Sequence, residues 1–370
     1  MTQDNKNLNS ANPNSNNPVN IQQGIIAKGI AVKSAKANFV NFNFERRRPK
    51  ENDVVIDIKF CGICHSDIHQ ARSEWFPGIY PMVPGHEIAG IVRDVGAKVS
   101  KYKIGDRVGV GCFVDSCRKC HNCENDLDNY CLNGNTLTYN SLEKDNKTPT
   151  YGGYSDVIVV DENYVLKIPD NIALDKAAPL LCAGITLYSP LKNWHIKKDS
   201  KVAIIGMGGL GHMGLKLAVA MQAQTIVFSH SERKKNDALK MGANDFVVAN
   251  PENFSKYQSY FDLIINTVSA SEINLNEYFN LLKFDATLVA IGAPDKPYAI
   301  NPFGLIMMRR KFAGSVIGSI SETQEMLDFC GQHNITPEIE VISPSYVDQA
   351  YQRMLKSDVR YRFVIDMSKI

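Results

Sequence analysis

Cys117, Cys120, Cys123 and Cys131 follow the spacing C-x2-C-x2-C-x7-C. Four thiolates so close in sequence can complete a tetrahedron around one soft cation and leave no vacant position for a substrate. The quartet predicts a structural zinc site. A C-x2-C-x2-C run also opens the bacterial ferredoxin pattern, but there the fourth cysteine comes about three residues later and proline follows it. Here the gap is seven residues and Leu132 follows. A disulfide framework fits less well, because the nine cysteines are odd in number and the chain is too long to depend on such staples. Upstream, Cys64-His65-Ser66-Asp67 and Gly85-His86-Glu87 place thiol, imidazole and carboxylate groups in two short runs, enough to begin a second metal site. The chain therefore calls for two zinc ions.

A second kind of chemistry is carried by Gly206-Met207-Gly208-Gly209-Leu210-Gly211. Its glycines 206, 208 and 211 fit the dinucleotide fingerprint, which needs a tight turn, close approach to a pyrophosphate and close helix packing. Alone the pattern is weak. Here an apolar run precedes it, and Leu210, Met213, Leu217 and Met221 follow at the spacing of one helical face. An NAD-binding fold usually places Asp or Glu about 20 residues after the glycines, to hold the ribose 2′-hydroxyl. This chain places Ser229 there, followed by His230-Ser231-Glu232-Arg233-Lys234-Lys235. Hydroxyls and cations would welcome a 2′-phosphate that an acid would repel, so NADP(H) is the expected cofactor. The competing reading makes Ser231 a helix N-cap and the basic triplet a solvated surface.

The elements that must hold these groups divide the chain by rhythm. From about Ile25 to Pro169, short runs such as 54–58, 88–92 and 157–160 are β-rich and broken by Gly, Pro and charged turns, which predicts a mostly β domain. From about Asn171, apolar strands alternate with helical segments, which predicts βαβ units and a parallel sheet. The expected strands are 202–205, 225–228, 245–248, 263–266, 287–291 and 312–316. With 370 residues and 44% hydrophobic content, the chain can bury the cores of two domains. A net charge of +2 gives no basic footprint for nucleic acid, and no apolar run reaches the roughly 20 residues a membrane span requires. Residues 1–24 are Asn-rich and nearly free of apolar side chains, so a disordered tail is expected there, without the apolar region of an export signal. Cytoplasmic residence follows as the default expectation.

GICHSDIH at 62–69, VPGHEIAG at 83–90, the cysteine quartet, APLLCAGITLYSPL at 178–191 and GMGGLGHMG at 206–214 resemble the zinc-containing medium-chain dehydrogenases. The likeness lies in the cinnamyl-alcohol-dehydrogenase-like branch and is closest to bacterial NADPH-dependent, broad-specificity aldehyde reductases. It runs from about Ile25 to the C-terminal RYRFVIDM. It implies an α/β architecture: a GroES-like catalytic domain over 25–170, a Rossmann nucleotide-binding domain over 171–315, and a segment 316–370 that returns to the first domain. It also implies a catalytic zinc on Cys64, His86 and Cys182, with Glu87 behind or on the metal, and Asp67 fixing the ring of His86. Read without the family, Cys182 would be a core cysteine. The implied reaction reduces an aldehyde to an alcohol by hydride transfer from the nicotinamide, with a proton relay from Ser66 through the cofactor ribose to His69. A surface imidazole on a loop is the alternative for His69.

By the same resemblance, Thr186, Thr267, Gly292, Ser315 and Ile317 contact the cofactor, as do Gly209 and Leu210 of the glycine loop, and His65 lies near the pyrophosphate. Trp75 and Tyr80 would line an apolar substrate pocket, in an active site between the two domains. Cys61, Cys112 and Cys330 read as packing, and His212 receives no role. A homodimer is implied, acting on a small aldehyde or alcohol, without nucleic acid or membrane. Two other functions stay in view. An NAD-dependent alcohol or polyol oxidiser would carry an acid at 229, and a catalytically inactive NADP(H)-binding redox sensor would have lost a ligand from the set just named.

Overall fold

The computed structural model describes residues 24–270 and 272–370; of the stretch expected to be a disordered tail, 1–23 lie outside them. Six parallel strands form one sheet in the order Asp245–Val248, Gln224–Ser229, Lys201–Ile205, Phe261–Asn266, Leu282–Ala290, Lys311–Gly314. The order reverses between Lys201–Ile205 and Phe261–Asn266, the switch point where ligands of such sheets bind. The glycine run follows Lys201–Ile205 and enters the helix Gly211–Ala220 at that point. All six expected strands are present: Asp245–Val248 has the expected bounds, and the other five differ at one or both ends. The fifth begins at Leu282 and stops at Ala290, because the N–H groups of Ile291 and Gly292 both turn to the Asn266 carbonyl at 3.1 Å. The last stops at Gly314, and beyond it the backbone of Val316 bonds to the cysteine-rich lobe.

The second layer is a seven-stranded sheet built on Asp53–Gly62. Val54, Val55 and Ile56 are buried in succession, so the start of this strand is covered on both faces, and further along buried Ile58 alternates with half-exposed Asp57 and Lys59. It pairs antiparallel with Ile88–Val95, Val157–Asp161 and Arg362–Asp366. The last of these comes from the far end of the chain. The chain therefore has an α/β fold, a GroES-like β unit beside a Rossmann sheet.

The expected apolar stripe on Gly211–Ala220 is only part of what is buried. Met213 and Leu217 face one core, while Leu215 faces another with Met207, Val227, Ala238 and Tyr361. Packing on both sides brings the helix start hard against the preceding turn. Gly206 sits at φ +93°, and a Cβ at Gly211 would lie 1.8 Å from the Gly206 carbonyl oxygen. Gly211→Ala is therefore expected to lower stability by about 3 kcal/mol, read as a shift in the urea midpoint at unchanged slope; a shift below about 1 kcal/mol would show that the turn relaxes freely.

Candidate active site

Cys64 ends the run after Asp53–Gly62 and caps the helix His65–Ala71. The cap is made by Asp67, whose Oδ2 accepts the Cys64 N–H at 2.8 Å. The same buried carboxylate accepts from the Gly85 N–H at 3.3 Å and from the Tyr154 hydroxyl at 3.3 Å, and its Oδ1 lies 3.2 Å from His86 Nδ1. One acid thus starts the helix and orients the imidazole, leaving Nε2 for the opposite side. Gly85 holds φ +103° and a Cβ there would strike the Tyr154 ring, so only glycine lets His86 reach this position.

Cys182 arrives from the other half of the molecule, at the start of the helix Ala183–Asn193. Its Sγ is 3.9 Å from Cys64 Sγ, and one donor atom from each of Cys64, His86, Glu87 and Cys182 lies within 4.8 Å of the others. Thiolates about 2.3 Å from a tetrahedral zinc are about 3.8 Å apart, so the donor set fits zinc in both chemistry and spacing. Burial alone would push the His86 imidazole down, but Cys112, Asp67 and Cys64 around it hold it well above its ordinary range. Ser66 Oγ stands 3.5 Å from His86 Nε2, at the edge of the donor set.

Glu87 is joined by a residue that sequence reasoning missed. Arg362, 4% exposed, makes an ion pair with the fully buried Glu87, whose other oxygen, Oε2, has no partner. Burial pushes the Glu87 carboxyl up to about 7, against the pull of the guanidinium. The Arg362 guanidinium stays charged, because the carboxylate and thiols around it outweigh its burial. A Cβ on Gly62 would lie 1.9 Å from Glu87 Oε2, and a Cβ on Gly209 would lie 2.8 Å from Arg362 Cδ. One arginine therefore spans from the metal donors to the glycine loop. Nothing in RYRFVIDM marks this residue by spacing; the signal it carries is an arginine leading the apolar run Phe363-Val364-Ile365.

The other expected residues separate into groups. His69 lies on the Ser66 helix, with Nδ1 2.6 Å from Glu74 Oε2 and its ring stacked on Trp75 at 4.6 Å. Trp75 is half-exposed, and the Tyr80 hydroxyl donates to the Ala71 carbonyl at 2.8 Å. His65 is exposed on the first turn of that helix. Thr186 is buried one turn beyond Cys182. Thr267 donates to the Ile205 carbonyl at 2.8 Å and so braces the glycine turn. Around a Cβ built at Gly208 there is open space, which fits close approach of a ligand, whereas Gly292 is pressed against the Val268 carbonyl. Ser229 ends its strand; His230 and Arg233 are exposed, and Ser231 precedes the turn Glu232–Lys234 without using its side chain as a cap. Lys234 donates to the Met207 carbonyl at 2.9 Å. Ser315 and Ile317 flank Val316, and Ile317 sits at φ +39°.

The cysteine quartet brings four sulfurs together, again within 4.8 Å of one another. Backbone N–H groups of Cys117 and Leu132 donate to the sulfurs of Cys131 and Cys120 at 3.4 Å, and the Lys119 N–H helps pull the Cys117 thiol down to about 6. The lobe also reaches the segment beyond Gly314, where Asn129 Nδ2 donates to the Val316 carbonyl at 3.0 Å and the Val316 N–H donates to the Tyr130 hydroxyl at 3.3 Å.

Two family models match this chain: the alcohol dehydrogenase GroES-like domain over residues 50–170 and the zinc-binding dehydrogenase over 209–332. The NADP-dependent alcohol dehydrogenase C of Mycobacterium bovis is 57% identical over 341 residues, covering 92% of this chain and 98% of that one. This chain belongs to the zinc-containing medium-chain dehydrogenases. Among these dehydrogenases, the aldehyde reductase YahK of Escherichia coli is 51% identical over 92% of this chain and 97% of its own. A cinnamyl alcohol dehydrogenase of Sorghum bicolor superposes with a TM-score of 0.90 at 41% identity, over 93% and 98% of the two chains. The CAD of Helicobacter pylori, solved with NADP(H), superposes at 0.88 and 46% identity, over 94% and 99%. These relatives place the chain in the cinnamyl-alcohol-dehydrogenase-like branch.

Removing one partner of a buried ion pair strands the other charge, at a cost of about 3–5 kcal/mol. Arg362→Leu is expected to lose stability on that scale in urea unfolding, and Glu87→Leu/Arg362→Leu to recover most of it. A double variant as unstable as the single one would assign the loss to packing instead.

Proposed function

We propose that this dehydrogenase reduces aldehydes to primary alcohols with NADPH, reversibly. The observation that carries the reading is the joint placement of Cys64, His86 and Cys182 as a buried donor set with Ser66 at its edge, on a fold whose cofactor strand ends in Ser229 rather than an acid. Zinc held by Cys64, His86 and Cys182 would supply a Lewis acid to a carbonyl oxygen. NADPH would supply the hydride to the carbonyl carbon.

The chain's own residues do the rest. Asp67 fixes the imidazole of His86 by taking its Nδ1 side, so that Nε2 faces the donor set. Ser66, at the edge of the donor set, would exchange a proton with the substrate oxygen, and His69, whose ring is held by Glu74 and Trp75, would be the outer proton donor of the relay. Trp75 and the ring of Tyr80 give the substrate side an apolar wall. Glu87 keeps Arg362 charged beside the glycine loop, where a pyrophosphate would sit. Thr186, Thr267, Gly292, Ser315 and Ile317 line the cofactor's course. Ser229, His230, Ser231, Arg233 and Lys234 receive the 2′-phosphate. Cys117, Cys120, Cys123 and Cys131 hold a second, structural zinc, two ions per chain. In this reading 25–170 and 316–370 form the catalytic unit and 171–315 the nucleotide-binding unit.

The assembly is a homodimer. Lys311–Gly314 has one neighbour in its sheet, and Phe284, Phe303, Ile306 and Met307 nearby are exposed apolar side chains. An open edge with that surface fits a second copy of this chain. Among the described residues, no helix is long and apolar enough to cross a membrane.

The decisive experiment is the initial rate of NADPH and NADH oxidation with one aliphatic and one aromatic aldehyde, on protein whose zinc is counted. Fast turnover with NADPH at two zinc ions per chain supports the reading, and no turnover with either cofactor at full zinc content would leave a redox sensor. Ser66→Ala is expected to lower kcat on the order of 10²-fold with both zinc ions retained, the span a positioned proton relay supplies; a wild-type rate removes Ser66 from the relay. Ile306→Glu is expected to halve the sedimenting mass, and an unchanged mass would move the interface elsewhere.

A further inference from the structure

Three consecutive residues of the C-terminal segment meet the cofactor side. Arg362 reaches Glu87 and the glycine loop, and Arg360 pairs with Asp237 and donates to the Arg233 carbonyl at 3.4 Å. Between them lies Tyr361, 3% exposed, whose hydroxyl donates to Asp237 Oδ2 at 2.8 Å. Its ring is stacked on the buried His212 ring at 5.0 Å with 14° between the planes. His212 in turn has Nδ1 3.2 Å from the Gly208 carbonyl oxygen, so the tyrosine is seated against the glycine loop itself.

The Lys234 ammonium lies over the Tyr361 ring, 4.8 Å from its centroid, while donating to the Met207 carbonyl. A lysine on a solvated loop has its rotamer entropy to lose before it can hold an anion. Here that freedom is already restricted from two sides. The ring's π face attracts the cation, and the Met207 carbonyl fixes its height over the glycine loop. Burial, with Arg360 and Arg233 adding to it, pushes the ammonium down to about 8, so a phosphate dianion arriving there would be paired with a cation short of counter-charge.

We propose that Tyr361 is a positioning residue for cofactor choice: its ring, braced by His212 and Asp237, holds Lys234 where the ribose 2′-phosphate of NADP(H) binds. The inference rests on the reading of Lys234 as a 2′-phosphate ligand. It adds that the preference is set in part by a residue of the C-terminal segment, outside the nucleotide fold. Tyr361 itself touches no cofactor atom in this scheme.

The test uses zinc-loaded full-length protein and calorimetric binding of adenosine 2′,5′-bisphosphate against adenosine 5′-monophosphate, which reads the 2′-phosphate without turnover. Lys234→Met is expected to weaken the bisphosphate at least tenfold and the monophosphate far less. Tyr361→Leu is expected to weaken the bisphosphate selectively by about tenfold, within the range of a partly desolvated cation–π contact. Tyr361→Met fills the same space if the leucine variant does not fold, and Tyr361→Phe, which keeps the ring, should restore most of the preference. In the Lys234→Met background Tyr361→Leu should add little, because the two act through one contact. Equal weakening of both nucleotides by Tyr361→Leu, or full additivity with Lys234→Met, would overturn the positioning role while leaving Lys234 as a ligand. An unchanged bisphosphate affinity in Lys234→Met would overturn the ligand reading and the inference with it.

Discussion

The Glu87–Arg362 ion pair is the contact on which the arrangement of this site depends. Two charges with almost no exposure are tolerable only if each is the other's partner, so the carboxylate at the start of Ile88–Val95 and the guanidinium at the start of Arg362–Asp366 must be brought together. Both strands flank Asp53–Gly62, and Gly62 lacks the side chain that would occupy the Glu87 oxygen's place. The three strand ends converge where Cys64 and His86 present their donors. The arginine then extends to Gly209, so satisfying one buried charge also sets how close the metal donors lie to the glycine loop.

What the sequence made legible were the features whose partners lie close along the chain. The cysteine quartet, Ser66-Asp67 beside Cys64, and glycines 206, 208 and 211 carry their geometry in their spacing. All six strands of the parallel sheet announced themselves by apolar runs, and the fifth and sixth ended early where long-range bonds intervened, at Asn266 and Val316. Cys182 and Arg362 behave differently. Cys182 is 118 residues from Cys64 and Arg362 is 275 from Glu87, and each sits in an apolar segment where it looks like packing. Cys182 could be named only through family likeness, and Arg362 was missed because no local pattern marks an arginine that will be buried. His212 was passed over for the same reason, its stacking partner being Tyr361, far along the chain.

In the proposed reading, cofactor choice is not a property of strand-end residue 229 alone. An acid is absent there, which removes a repulsion, but removal of a repulsion does not by itself orient a cation. Lys234 is oriented by the Met207 carbonyl and the Tyr361 ring, and the segment beyond Gly314 is held by Asn129 and Tyr130 of the cysteine lobe. Both supports lie outside the sheet that carries the fingerprint. A fold that binds a dinucleotide between two bodies has reason to distribute control in this way. In the proposed reading, emptying the cysteine lobe of its zinc would act on the segment around Val316, and loss of the tyrosine ring on Lys234, although neither group belongs to the nucleotide fold.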